Sequence, residues 1–274
     1  MEPSDIIKYA LQEDIGFGDI TTSLTIPENS VSTAHIIAKS RFVLAGLPFA
    51  MIVFRILDPE LSFKTFINDG AKVKKGDIIA QIYGRTHSIL AGERTCLNIL
   101  QRLSGIATLT SLFVKKIEGT KAKVVDTRKT SPCLRIMEKY AVKIGGGYNH
   151  RFGLFDAILI KDNHIKASGG IKKAVKLAKK SCNHLQKIEV EVCSIPELIE
   201  AIDAGADVVM LDNMNLEDIK KAVKIADKKV TLEVSGNVTL KNIRSIAETG
   251  VDIISVGAIT HSAPSSDISL KIAG

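Results

Sequence analysis

From about residue 123 to 260 the chain keeps one rhythm: an apolar run, a polar cluster, then a helical pattern. The apolar runs are KVVD (123–126), AILIK (157–161), KIEVEV (187–192), DVVMLD (207–212), TLEVS (231–235) and DIISVG (252–257). Such runs suit strands covered on both faces, and strand–helix alternation implies a parallel sheet wrapped by helices. SPCLRIMEKYAVKI predicts a helix with Ser131 as N-cap and Pro132 in the first helical position. GIKKAVKLAKK, SIPELIEAIDAG, NLEDIKKAVKIAD and TLKNIRSIAETG supply further helices, two of them ending in a glycine suited to a C-terminal cap. Five or six units without a GxGxxG turn favour an α/β barrel over a doubly wound nucleotide-binding sheet.

The first 105 or so residues differ. DIIKYALQEDI reads as a helix. STAHIIAKSRFVLAG, LSFKTFI, DIIAQIYG and HSILAG read as β-rich runs between Gly and Asp turns. ERTCLNILQRLSGIATLTSLFVKKI reads as one or two helices leading into the barrel. NDGAKVKKGDIIAQIYG looks like a hairpin; it resembles a biotin or lipoate carrier locally but lacks the attachment turn.

The formal charge of +7 raises the question of nucleic acid. The lysines instead punctuate amphipathic patterns such as IKKAVKLAKK, where they suit solvated faces. With no Trp and four Tyr, a base-stacking platform is poorly supplied, and a nucleic-acid partner is not expected. Nor is a membrane one: no run approaches the ~20 apolar residues of a spanning helix. The acid-bearing N-terminus lacks a signal-peptide core. Cys96, Cys133, Cys182 and Cys193 show no CxxC spacing, which argues against zinc and redox pairs and suits a reducing, cytoplasmic setting.

In α/β barrels the reactive groups stand at the C-terminal ends of the strands. Here those ends are Asp126-Thr127-Arg128-Lys129, Lys161-Asp162-Asn163-His164, Glu191, Asp212-Asn213, Ser235-Gly236-Asn237 and Gly257-Ala258. The early ends are cationic, and GGGYNHR (145–151) adds His150 and Arg151. Such a cluster repels itself until an anion joins it, and arginine forks match carboxylates. The middle ends are acidic, suited to ribose hydroxyls or to Mg²⁺ held through water. The late ends are small and expose backbone N–H groups, as phosphate sites require. The set asks for a substrate combining phosphate, sugar and a metal-bound diphosphate. Plainer roles remain open for several groups. Asp162 and Asn163 can cap a loop, Glu189 can pair with a barrel lysine, and His164 and His261 suit structural positions. Cys133 and Cys193 lack a basic partner at short spacing.

DTRKTSPCLRIMEKYAVKIGGGYNHRFGLFDAILIKDNHI closely resembles quinolinate phosphoribosyltransferase, the carboxylating nicotinate-nucleotide pyrophosphorylase family. GFGDITT, AGERTCLNILQRLSGIAT, EVEV, LDNM, EVSGNV and ISVGAITHSAP extend the resemblance over nearly the whole chain. It implies an N-terminal α/β sandwich (1–105), an incomplete parallel α/β barrel (106–264) and a C-terminal segment (265–274) returning to the first domain. It also implies a reaction: quinolinate and phosphoribosyl pyrophosphate give nicotinate mononucleotide, pyrophosphate and CO₂, with Mg²⁺, in a homodimer or a hexamer of dimers.

Residue by residue, the resemblance puts Arg128, Lys129, His150, Arg151 and Lys161 around the quinolinate carboxylates, with Thr127 beside them. Arg94 enters from the partner subunit. Glu191 and Asp212 face the ribose and the metal-bound diphosphate, touching the metal indirectly. Ser235, Gly236, Asn237, Gly257 and Ala258 hold the 5′-phosphate. Lys129, Lys161, Glu191 and Asp212 are the expected catalytic groups. One departure is visible: Cys133 stands where the family pattern leads one to expect Gly. Two other classes of activity stay in view, a Schiff-base aldolase using Lys161 and a nucleic-acid binder using the net charge.

Overall fold

The computed structural model describes residues 2–273. The chain forms two compact units. One comprises residues 1–111, 130–146 and 262–274; the other comprises 112–129 and 147–261.

In the first unit, α1 (Pro3–Ile15) and α2 (Ile20–Thr25) precede β1 (Val31–Ala38), β2 (Phe42–Val43) and α3 (Leu47–Leu57). Then come β3 (Ser62–Thr65), β4 (Lys72–Val73), β5 (Ile78–Arg85) and a 31-residue helix, α4 (Thr86–Lys116). The main sheet has the order β12-β1-β5-β3, with β12 (Ile268–Ile272) pairing antiparallel to β1. Strand β1 alternates as one buried face demands: Ala34, Ile36 and Ala38 point inward.

Two expectations fail here. HSILAG is the first turns of α4, not a strand; Gly92 is there because a Cβ would lie 2.8 Å from the Phe54 ring of α3. NDGAKVKKGDIIAQIYG is not a hairpin, because β4 pairs with β2 while β5 pairs with β1 and β3. By length and composition α4 could cross a membrane, but Ile89, Leu97, Leu100, Leu103 and Ile106 along it are buried. Near its middle, a Cβ on Gly105 would sit 2.0 Å from the Pro264 carbonyl oxygen. That close approach is what the glycine allows.

The second unit is a six-stranded parallel sheet. Its strands are β6 (Lys123–Val125), β7 (Ile158–Ile160), β8 (Ile188–Val192), β9 (Val208–Asp212), β10 (Thr231–Ser235) and β11 (Ile253–Ser255). They lie in the order β6-β11-β10-β9-β8-β7. Each expected strand is present; TLEVS matches residue for residue and the others are trimmed by a residue or two at their ends. No ladder joins β6 to β7 among the described residues, so the barrel is incomplete.

The connecting helices are α6 (Asp162–Ser168), α7 (Ile171–Ser181), α8 (Ile195–Ala204), α9 (Leu216–Ala226), α10 (Ile243–Ala247) and α11 (Ala258–His261). Two of their starts are capped by side chains: Ser194 accepts from Glu197 N–H, and Asn215 from Asp218 N–H at 3.0 Å. Gly205 ends α8 in the left-handed region. Helix α6 occupies DNHIKAS, where only a capped loop was expected; His164 Nδ1 accepts the Lys161 N–H at its start.

Helix α5 (Arg135–Ile144) belongs to the first unit and corrects another expectation. It starts four residues after Ser131, because Cys133 has φ 64° and cannot lie inside a helix. Ser131 is engaged elsewhere: its N–H donates to Glu138 Oε2 at 3.2 Å. Glu138 is fully buried and also takes the Arg102 guanidinium at 2.8 Å. The left-handed backbone gives a physical reason for expecting glycine at 133.

Two substitutions test these positions in thermal or denaturant melts. Cys133→Gly should stabilise by about 1 kcal/mol, since a left-handed non-glycine residue costs ~1–2 kcal/mol. Gly105→Ala should destabilise by about 3 kcal/mol or more, as overpacking against fixed backbone does. A Gly105→Ala protein that melts with wild type would mean that α4 moves freely away from Pro264.

Candidate active site

The opening of the barrel unit is built first from backbone. After β6 the chain leaves through Asp126, passes through α5, and returns at Gly147. The Tyr148 N–H donates to Val124 O at 2.8 Å and the Asp126 N–H to Tyr148 O at 3.1 Å. Asp126 is fully buried, and its Oδ1 accepts the His150 N–H at 2.8 Å. A strand runs out into Asp-Thr-Arg-Lys because that aspartate fastens the second cationic segment beside the first.

The strand ends enclose a cavity of about 930 Å³. Its wall on the β6–β7 side carries Thr127, Arg128, Lys129, His150, Arg151 and Lys161. Glu191, Asp212 and Asn213 follow, then Ser235, Gly236 and Asn237, and finally Gly257, Ala258 and His261. Of the residues that the resemblance assigns to substrate or metal, only Arg94 is not in this wall; it is exposed on α4 in the first unit. Asp126, Asp162, Asn163 and His164, also at strand ends, do not line it. A smaller cavity of about 210 Å³ in the first unit, lined by residues including Ala10, Leu103 and Met137, gathers none of the strand-end groups.

Arg151 shows what the cationic wall lacks. Burial, then repulsion from Arg128, holds its pKa below the usual guanidinium value. Its Nη1 donates to Ala157 O at 3.2 Å, which fixes its direction. Lys161 Nζ sits 2.5 Å from Glu191 Oε2. On the opposite side, Asp212 Oδ2 accepts from Asn213 Nδ2 at 2.8 Å, and Asn237 Nδ2 donates to Asn213 Oδ1 at 3.0 Å. Asn213 and Asn237 both have positive φ, a region asparagine tolerates better than most residues. Gly236, at φ 91°, lies so close that a Cβ would meet Asn213 Oδ1 at 2.2 Å. The ends of β9 and β10 are thereby locked together. Each carboxylate, Glu191 and Asp212, has one oxygen committed to a protein donor and a second one available. Hard oxygens of this kind suit Mg²⁺ through its water shell.

Below the rim lies a cluster that sequence reasoning did not assemble. His150 Nε2 is 3.2 Å from Glu189 Oε2 and 3.6 Å from Glu233 Oε2. Glu189 therefore pairs with a histidine, not with the barrel lysine expected for it. Glu233, in the middle of TLEVS, was passed over as part of an apolar strand; a glutamate at an interior strand position was the available signal. Strand β9 separates β8 from β10, and one imidazole reaches the carboxylates of both.

The three side chains bring ligand atoms within 4.8 Å of one another, a spacing that invites a metal. The tautomer argues otherwise. His150 Nδ1 accepts the Arg151 N–H at 2.7 Å, so Nε2 carries the hydrogen and has no lone pair to offer. Glu233 is 2% exposed. Burial first, and then the charge of Glu189, lift its pKa from 4.5 to about 7 against the opposing pull of His150, Ser255 and Lys161.

Comparison with known proteins places the chain as a whole. Residues 19–104 match the quinolinate phosphoribosyl transferase N-terminal domain and residues 106–271 its C-terminal domain. A probable carboxylating nicotinate-nucleotide pyrophosphorylase of Bacillus subtilis is 43% identical over 97% of this chain and 92% of its own length. A decarboxylating quinolinate phosphoribosyltransferase of Nicotiana tabacum is 42% identical over 98% of this chain and 81% of its own. The solved nicotinate-nucleotide pyrophosphorylase of Francisella tularensis superposes with a TM-score of 0.94 at 48% identity, covering 99% of this chain and 96% of that one.

The raised Glu233 pKa has a stability signature. A carboxyl that holds its proton more tightly when folded favours the folded state below the unfolded pKa. That contribution is lost as pH rises through the folded value. The window is therefore pH 4.5 to about 7. Glu233→Gln should remove most of this slope, worth at most about 3–4 kcal/mol at roughly 1.4 kcal/mol per pKa unit. Parallel stability–pH curves for wild type and variant across that window would show that Glu233 titrates normally.

Proposed function

This chain belongs to the quinolinate phosphoribosyltransferase family, and we infer from that premise how its cavity serves the family reaction. The enzyme transfers the phosphoribosyl group of phosphoribosyl pyrophosphate to quinolinate with decarboxylation. The products are nicotinate mononucleotide, pyrophosphate and CO₂, and the step belongs to de novo NAD biosynthesis.

The observation that carries the site assignment is the division of one cavity into a cationic wall and an acidic-to-small wall. Arg128, Lys129, Arg151 and Lys161 receive the two quinolinate carboxylates, and Thr127 borders them. His150 stands in the same wall, with its ring nitrogens turned to Glu189, Glu233 and the Arg151 N–H. Ser235, Gly236, Asn237, Gly257 and Ala258 cradle the 5′-phosphate with backbone N–H groups. Glu191 and Asp212 orient the ribose and the diphosphate. When bound through these two carboxylates, Mg²⁺ supplies charge neutralisation to the leaving diphosphate.

The protein's own work is alignment and electrostatics. Holding the pyridine nitrogen in line with the sugar C1 lowers the entropic barrier. The acidic wall favours the positive charge that develops on the sugar as the diphosphate departs. No side chain acts as a nucleophile. Lys161 commits its ammonium to Glu191, whereas a Schiff-base lysine needs a free amine.

Arg94 completes a neighbouring subunit's cavity in a homodimer, either alone or within a hexamer of dimers. Its exposure on α4 leaves it available for that role. The unpaired cysteines suit a cytoplasmic location.

With Mg²⁺ and phosphoribosyl pyrophosphate, quinolinate should yield CO₂ and pyrophosphate while nicotinate does not react. A substrate missing one carboxylate leaves a desolvated cation unpaired, at a cost of roughly 1–3 kcal/mol or more. Comparable turnover of nicotinate would refute the two-carboxylate wall. Arg128→Ala and Arg151→Ala should each weaken quinolinate binding by at least ~10-fold with circular dichroism unchanged.

Arg94→Ala and Lys161→Ala should each be nearly inactive. After subunit exchange they should recover roughly a quarter of wild-type activity, because about half the dimers are mixed and each mixed dimer has one intact site. Exchange proven by native mass spectrometry without recovery would place Arg94 outside a shared site.

A further inference from the structure

We propose that Glu233 is the general acid of this reaction: its carboxyl proton replaces the departing CO₂ at C2 of the pyridine ring. The proposal rests on the phosphoribosyl-transfer and decarboxylation reading of the same cavity.

The argument begins with a count of hydrogens. Two carboxylates, Glu189 and Glu233, converge on one imidazole N–H. That hydrogen cannot come from the other ring nitrogen, which accepts the Arg151 N–H. Glu189 Oε1 and Glu233 Oε1 are both buried without a hydrogen-bond partner. Two ionised carboxylates with orphaned oxygens in a buried site are costly. One retained proton removes one charge and adds one donor. Glu233 is the member that holds it, because it is the more deeply buried of the two.

The groups facing Glu233 from each packed element agree. Glu189 on β8 opposes ionisation. His150 beside β6, Ser255 on β11 and Lys161 at the end of β7 favour it, and burial outweighs them. The balance leaves a carboxyl that titrates at about 7, a value suited to proton transfer near neutral pH.

The second observation is position. Glu233 lies in the cavity wall although it is almost wholly buried. It is thus in contact with the substrate space yet screened from bulk water. Arg128 and Arg151 have no proton to release at working pH, and Lys161 is held by Glu191.

The chemistry needs an acid in such a place. As the C2–carboxylate bond breaks, CO₂ leaves and the electron pair stays on C2, stabilised by the adjacent pyridinium nitrogen. The pair takes the Glu233 proton: a C–H bond forms, the O–H bond breaks, and its electrons remain on the carboxylate. That carboxylate accepts from the His150 N–H until product leaves and water returns a proton. Without the donor, C2 recaptures CO₂ before it escapes.

Infrared difference spectra of the unliganded enzyme, wild type minus Glu233→Gln, should show the carbonyl stretch of a protonated carboxylic acid at neutral pH, fading as pH rises. Product formation by wild type should fall on the alkaline side, and Glu233→Gln should lack that limb. In a single turnover the variant should release pyrophosphate within about threefold of wild type but form nicotinate mononucleotide about 100-fold more slowly, accumulating quinolinate mononucleotide.

Absence of the acid band from wild type overturns the proposal. So does a Gln variant with full product rate and an unchanged alkaline limb, or one that loses pyrophosphate release and product formation together. If the variant fails to fold, the band and its pH titration in wild type decide, with Glu189→Gln as the difference partner. A wild-type enzyme inert toward quinolinate refutes the underlying reading instead, which the infrared band does not address.

Discussion

The chemistry of the barrel unit depends on the hydrogen bond from the His150 N–H to the buried Asp126 carboxylate. The two segments it joins are separated in sequence by a whole helix, α5. The bond returns the chain alongside β6 and brings Arg151 close enough to Arg128 for each to feel the other's charge. It also points His150 down toward Glu189 and Glu233. A buried carboxylate is justified only where its oxygens are taken up, so the position tolerates little besides aspartate. Lengthening to glutamate would displace the backbone it holds.

Charge in this cavity is arranged by depth as well as by side. The rim is cationic and partly solvated, whereas the floor is acidic and nearly dry. Protein interiors amplify such contrasts because little water screens them. A multiply anionic molecule is drawn to the rim, and the floor carries groups whose protonation differs from that in solution. The Arg151 guanidinium, held below its usual pKa, and the Glu233 carboxyl, reluctant to ionise, are two results of the same desolvation.

The strands, their order of appearance and the polar strand ends were legible because apolar runs and abrupt polar stops are local signals. Glycine misled where it served packing: Gly92 looked like punctuation, but it sits inside α4 to admit the Phe54 ring. Cys133 stood out against a family pattern, and the reason appeared only with its positive φ. Asp126 was visible at a strand end without any evident task, since its partner lies beyond a helix. Glu233 was visible as an acid among apolar neighbours, but its partner was not. Nothing local indicates that a histidine from another strand end will meet it.

The pairing of β12 with β1 sets a timetable for the growing chain. Ile36 meets Leu270 across that ladder, and residues 39–267 must be made between the two strands. At about 5–20 residues per second, the edge of β1 waits on the order of ten seconds or more on the ribosome. During that interval β1 has one neighbour, β5, and an open flank able to recruit another chain. Strand β12, made only after residues 39–267, is thus the piece that closes the sheet flank left open by β1. Nascent-chain quality, more than the strength of the finished fold, is where changes to ISLKI should be felt.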